Sequence, residues 1–409
     1  MNGNNKKSQT DVMGKMDDKL ISDPISAVIA PDPYPYYAEL GKQASMPFER
    51  SCNLWIAASA ALVEAVLADP DCRVRPLDQP VPPAIEGSPA GAVFGRLVRM
   101  NDGPERTAVK RAIVWHLARV DMQTTTSLAQ AWTRHLMAAA GGLEAVALGD
   151  LGFRAPIYTV ASLLGAPADA LEDVDAWTGR FVKCISPLSS TDEIEMAKHA
   201  AASLMSFFDE LTMEGTGLAK ELVIDADSAG ANRQLALANL LGLLSQTYDA
   251  TAGLVGNILV ALGRHPQILR AAIGDSSLLE AIAVETLRHD APIQNTRRFA
   301  AANSEIAGAD VKKGDAILVI LAGANRDPAV NPDPDDFRPD RQDARIYTFG
   351  HGDHRCPGRA LAVQIAQGVI GALLAAGLDA GALAERAPNY QRSVNARIPD
   401  LGVVGAAIR

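Results

Sequence analysis

The stretch Phe349–Gly358, "FGHGDHRCPG", gathers three glycines, two histidines, an arginine and a single cysteine. Cys356 stands just before Pro357 and a strong helical pattern, so the spacing predicts a thiol at a helix N-terminus with Pro at the first helical position. Free N–H groups and the positive dipole end there favour thiolate over thiol. Gly350, Gly352 and Gly358 carry no side chain, so the backbone on either side of the sulfur could lie against something flat. His354 and Arg355 add positive charge for an anion. Three chemistries fit these residues: a capped loop with a buried free cysteine, a redox thiol, or the axial thiolate of a haem whose propionates meet the cations. Zinc is poorly supported, because Cys52, Cys72 and Cys184 all lie outside ligand spacing.

A second polar cluster sits where none is expected. The run Arg233–Pro266 is apolar nearly all round and has helical length, roughly 45–50 Å at 1.5 Å per residue. A membrane span is disfavoured, since "SQTYD", Ser245–Asp249, would place an acid in hydrocarbon. A buried helix with an acid at its centre needs a chemical reason. A third pair, Glu285 and Arg288 of "ETLR", is three apart and shares one helical face.

The elements that must position these groups are mostly helical. "PDPYPYYAEL" and "AASAALVEAVLADP" read as helices, and "RPLDQPVPPAIEGSPAG" as a long irregular loop. From Arg106 to about Asp225 the pattern is helical, with breaks at "GAPADA" and "ISPLSSTDE". Ser277 and Glu280 read as a capping box, and Pro292 stops that helix. Short β-like runs follow from Thr296 to Pro328, then a coil at "NPDPDDFRPDR" and a helix with apolar Leu361, Ile365, Val369 and Leu373. The fold class is mainly α with small β sheets (α+β). Residues 1–25, polar and without an apolar leader, read as a disordered tail, and 26–409 as one domain. A net charge of -10 and pI of about 5.2 exclude nucleic acid or an anionic membrane as main partner. Four cysteines without a CxxC pair give no disulfide framework, so a cytoplasmic location is expected.

"FGHGDHRCPG" resembles the cysteine-ligand loop of the bacterial soluble cytochrome P450 family, Phe-Gly-x-Gly-x-His-x-Cys-x-Gly, at Phe349, Gly350, Gly352, His354, Cys356 and Gly358. "ETLR" resembles the family's Glu-x-x-Arg, with Arg341 of "FRPDR" completing a buried structural triad with Glu285 and Arg288. "PIQNTRR" looks like the segment that sets Arg298 on a haem propionate. "NDGPERTAVKR" resembles the propionate-binding C-helix region, with Arg106 where the family has histidine and Lys110 where it has arginine. The resemblance runs from about Asp32 to the end. It implies a triangular prism with haem b between the I and L helices, Cys356 as the metal ligand, and a haem-thiolate monooxygenase.

The long helix becomes the family's I helix, whose acid and following threonine deliver protons during dioxygen activation. Aligned through "LVGN", this chain reads Gln246-Thr247-Tyr248-Asp249-Ala250-Thr251. Asp249 keeps the acid, and Ala250 stands where the hydroxyl is expected. Thr251 is turned by about 100 degrees and cannot simply replace it. Thr247 lies on roughly the face of Ala250, and both it and Gln246 could point at the haem or bond back to the helix. An atypical or substrate-assisted proton relay follows.

The expected reaction is hydroxylation or epoxidation of an apolar small molecule in bacterial secondary metabolism. The competing readings are non-hydroxylating chemistry (oxidative coupling, ring formation, nitration) and a non-catalytic haem-binding protein of the same fold. No GxGxxG follows a strand, so electrons are expected from a ferredoxin or flavodoxin with its reductase, docking on Arg106, Lys110, Arg111, His116 and Arg359. A monomer is expected. The substrate wall is read as the 75–100 loop, with Val81, Ile85, Val93 and Phe94, the helices at 165–210, and Ala291–Thr296.

Overall fold

The computed structural model describes residues 21–103, 105–384 and 389–407. Residues 1–20 of the expected tail lie outside them; its last part does not behave as a tail. Ile21 and Ile25 pack against the cluster around Tyr34 and Tyr37, since apolar side chains beside an exposed aromatic face are better covered than solvated.

Three pieces of sequence fold before the first long helix: α1 (Tyr34–Gly41), α2 (Ala60–Ala68) and α3 (Pro89–Phe94). The helical series then runs α4 (Glu105–Leu117), α5 (Met122–Ala139), α6 (Leu148–Leu164), α7 (Leu171–Phe181), α8 (Thr191–Glu214), α9 (Leu218–Ser228) and α10 (Arg233–Arg264). Its breaks fall where glycine, proline and serine clusters put them. α10 starts at Asn232, whose side chain accepts from Gln234 N at 2.7 Å. It ends before Pro266, which opens α11 (Pro266–Gly274), and α12 (Leu278–His289) follows.

The core is arranged around α10, which packs on α6, α8, α12 and α14 (Arg359–Ala375). Leu237, Leu240, Leu241, Leu244, Ile258 and Leu262 are all buried there, each contributing about 1.5–3 kcal/mol of transfer free energy. Residues 246–250 interrupt this burial: five successive positions keep accessible surface between the buried Ser245 and Thr251.

A sheet of five strands lies beside the helices in the order β1 (Phe48–Glu49), β2 (Leu54–Ala57), β7 (Ala316–Val319), β4 (Thr296–Ala300), β3 (Cys72–Arg73). A hairpin of β5 (Ser304–Ile306) and β6 (Ala309–Val311) stands apart. β2 pairs with β7 in parallel, Trp55 facing Ile317, and β4 pairs with β7 antiparallel, Arg298 facing Ile317. The alternation along β4 turns Arg298 to the buried side.

Four readings are corrected. The 75–91 loop is not irregular to its end, because Ser88 accepts from Gly91 N and starts α3. The Ser277–Glu280 capping box does not form: Ser277 is in helical conformation, and Asp275 accepts from Ser277 N at 2.9 Å. "LAGAN", read among β-like runs, is a short helix, α13 (Leu321–Asn325). Pro357 lies in a turn before α14, not at its first residue.

Candidate functional site

Cys356 is held by its own loop. Its amide donates to Phe349 O at 2.8 Å, and Gly358 N donates to the sulfur at 3.4 Å. Gly350 and Gly352 have φ of 75° and 63°, the left-handed turns this path requires. The thiol sits deep in the protein yet keeps accessible surface, so it faces an interior space. Burial pushes its pKa up; the Gly358 amide, Lys110 and Arg99 oppose this without prevailing. The helix end alone does not make the thiolate, which corrects the sequence reading. A cationic metal against the sulfur is what would balance it.

Beside the loop is a set of cations with one carboxylate. His354 Nε2 is 2.8 Å from Asp102 Oδ1 and 3.3 Å from Arg106, whose other amino group donates to Asp353 O at 2.7 Å. Asp102 also accepts from Val74 N at 3.1 Å. Arg298 is buried, donates to Arg297 O at 2.8 Å, and lies within charge range of Asp102. Lys110, partly buried, lies within charge range of Cys356. More positive than negative charge, beside a side-chain-free backbone and an accessible thiol, fits a flat group carrying anionic arms. Haem is such a group: Cys356 would ligate it, with Arg298, Arg106 and Lys110 on its carboxylates and Phe349, Gly350, His354 and Gly358 shaping its bed.

The loop is anchored to α12. Arg288 and Glu285 form a bidentate pair at 2.7 and 2.9 Å, and Arg341 Nε lies 3.5 Å from the same carboxylate. Both arginines also donate to backbone oxygens of the coil, Arg288 to Pro334 and Asp336, Arg341 to Asp333 and Asp336. The triad therefore pins the segment that leads into the cysteine loop. Sequence reasoning missed a second pin: Thr348 donates to Leu287 O at 2.7 Å and accepts from Asn325 at 2.8 Å.

On the opposite wall, α10 presents residues 246–250. Gln246 Nε2 donates to Gly242 O at 2.8 Å and Thr247 Oγ1 to Leu243 O at 2.8 Å, so both donors are turned back to the helix. Asp249 makes no hydrogen bond among the described residues, and burial raises its pKa against Lys183 and Arg99. Thr251 is 3 % exposed and faces the core. Tyr248 stacks on Phe153, centroids 4.6 Å apart. Its hydroxyl fits against Gly179, where a Cβ would come within 2.6 Å.

The proposed docking residues do not all share a surface. Arg111 is exposed, and Lys110 and Arg359 are half-buried. His116 is 3 % exposed with Nε2 2.9 Å from Asp225 Oδ2, tying α4 to α9. It is removed from that patch. No helix among the described residues is long and apolar enough to cross a membrane.

Comparison with known proteins agrees with this geometry. A family model described as "Cytochrome P450" matches residues 234–376. The "Cytochrome P450 monooxygenase PikC" of Streptomyces venezuelae is 29% identical over 364 residues, 84% of each chain. The "20-oxo-5-O-mycaminosyltylactone 23-monooxygenase" of Streptomyces fradiae is 28% identical over 87% of this chain and 85% of its own. Among solved structures, that of CalO2 superposes with a TM-score of 0.81 at 23% identity, covering 92% of this chain and 96% of that one; that likeness concerns the fold.

Proposed function

We propose that this chain, which belongs to the cytochrome P450 family and is a monooxygenase of it, oxidises an apolar small molecule by a proton route lacking the usual distal hydroxyl. When bound, haem b held by the Cys356 thiolate supplies dioxygen activation, the thiolate favouring O–O cleavage. Residues 26–409 act as one unit. The similar monooxygenases of Streptomyces species support secondary metabolism as the setting.

The observation that carries the reading is the order of side chains on the accessible turn of α10. Ala250 offers no hydroxyl, Gln246 and Thr247 donate to their own helix, and Asp249 is the acid left without a hydrogen-bond partner among the described residues. A carboxyl whose pKa is raised by burial holds a proton nearer neutral pH than a solvated one. Thr247 Oγ1, its proton committed to Leu243 O, retains lone pairs and can only accept. Asp249 therefore supplies the proton, with a substrate hydroxyl or water in place of the missing threonine. Electrons come from a ferredoxin or flavodoxin with its reductase, docking on Lys110, Arg111 and Arg359.

The reduced, carbon-monoxide-bound absorption spectrum tests the haem-thiolate reading: the red-shifted thiolate band is expected, and its absence rejects the proposal. Product mass then tests the reaction. Gain of one oxygen atom supports monooxygenation; loss of hydrogens without oxygen supports the non-hydroxylating alternative that Ala250 also fits. Strong uncoupling of the wild-type protein with its true substrate would overturn the proton route.

A further inference from the structure

Arg99 lies beside the site with no hydrogen bond from its guanidinium among the described residues. Its side chain is enclosed by protein yet keeps accessible surface, as a group projecting into an internal space does. Its Nε is buried without a hydrogen-bond partner, and among the described residues no ion pair reaches the guanidinium. An unpaired guanidinium away from water is costly, so such groups are matched to an anion.

The position is built. Asn239 of α10 accepts from Val98 N at 2.9 Å and donates to Arg96 O at 2.9 Å. Asn101 donates to Gly95 O at 3.0 Å and to Leu97 O at 2.8 Å. Fully buried Leu97 closes on Gly242, where a Cβ would come within 2.9 Å of it. The backbone of the turn Val98–Met100 is thus held on both sides.

The titratable groups within its charge range are Asp249 on the accessible turn of α10, Cys184 and Cys356. Burial pushes Asp249 and Cys184 toward their neutral forms, and Cys356 is committed to the metal of the proposed haem, so none is a firm counter-charge. Arg298 and Arg106 already gather around Asp102 and His354 for the arms of the flat group.

We propose that Arg99 anchors a carboxylate of the substrate: the site takes a small molecule with an apolar body and one ionised acid group, held as a guanidinium–carboxylate pair. The assignment rests on the haem-thiolate reading above. A haem propionate is the other carboxylate Arg99 could meet, and the experiment separates the two.

Haem-loaded protein is titrated with dodecanoate and 4-phenylbutyrate, each beside its methyl ester, following the haem absorption band and heat of binding. The acids are expected to bind about tenfold or more tightly than the esters. Arg99→Gln removes that preference while ester affinity stays within about twofold, and Arg99→Lys, which keeps the charge, restores part of it. Wild-type acids binding no tighter than their esters, or a preference that survives Arg99→Gln, overturns the proposal. Haem lost from ligand-free Arg99→Gln with the acid preference intact assigns Arg99 to a propionate and overturns it too. A preparation without the thiolate band in carbon monoxide rejects the haem-thiolate reading itself; a normal band without acid preference rejects Arg99 alone.

Discussion

Asp102 and His354 stand 252 residues apart and meet at 2.8 Å, joining the segment before α4 to the cysteine loop. Burial and the nearby cations Arg106 and Arg298 lower the histidine pKa despite the carboxylate. The ring is therefore neutral, with Nε2–H donating to Asp102, and Arg106 is held beside it by Asp353 O. The contact matters for the site because it orders two cations around one carboxylate.

Asp102→Asn is expected to cost about 1.5–3 kcal/mol in urea unfolding, the range for a hydrogen bond to a charged group. The pH dependence gives a second check. Burial raises the Asp102 pKa, but the His354 and Val74 hydrogen bonds bring it below the ordinary 3.8. A depressed carboxyl stabilises above 3.8, and that stability is lost as pH falls through the folded value. This acid loss should shrink in Asp102→Asn; an unchanged profile contradicts the pairing.

Glu285→Gln leaves two buried arginines without their shared anion. Removing one partner of a buried pair costs about 3–5 kcal/mol. Because Arg288 and Arg341 also hold the backbone of the coil before the cysteine loop, haem retention should fall together with the melting temperature. A variant that melts normally and keeps its haem would show that the triad does not support the loop.

How far the site could be read in advance follows from the range of each signal. The loop around Cys356, the Glu285–Arg288 pair and the helix at 233–264 are local patterns, and each is found where spacing placed it. The pairing of Leu54–Ala57 with Ala316–Val319 is carried by a crossover of more than two hundred residues. A run of four apolar residues does not announce such a partner. The misplacement of His116 has the same cause. Its sequence neighbours Val114 and Trp115 are exposed, and only α9 folding across it reveals that Asp225 covers the ring. Arg99 carries no local signal at all, because the residue that clamps its turn, Asn239, lies 140 positions on by number.

His289 supplies a pH test independent of the haem. Its Nε2 donates to Asp335 O at 2.9 Å and its Nδ1 accepts from Arg326 at 3.0 Å, which fixes the neutral tautomer. Burial, then Arg326, lowers its pKa from 6.5 to about 3. The unfolded chain therefore takes up this proton first as pH falls. Stability should decline from 6.5 downward until about 3, where the folded ring protonates as well. His289→Gln, which can donate and accept without titrating, should flatten the decline below pH 6.5. Equal slopes in the two proteins would remove His289 from the account.

Asp249→Asn addresses the chemistry itself. The amide keeps the shape of the side chain but has no acidic proton to give. If Asp249 delivers the proton, turnover should drop by about a hundredfold, the lower end of what a positioned general acid contributes. Hydrogen peroxide released per product should rise, because reduced oxygen that is not protonated along the productive route leaves the site. Wild-type turnover should also fall as pH rises through the raised carboxyl pKa, and this limb should vanish in the asparagine variant. Thr247→Ala is the contrasting variant, since its hydroxyl donates to Leu243 O and gives nothing to the cavity. It should leave coupling near that of the wild type. Ala250→Thr completes the set: a restored hydroxyl gains nothing if the substrate already bridges from Asp249. A large gain in coupling would show instead that the chain merely lost the usual relay.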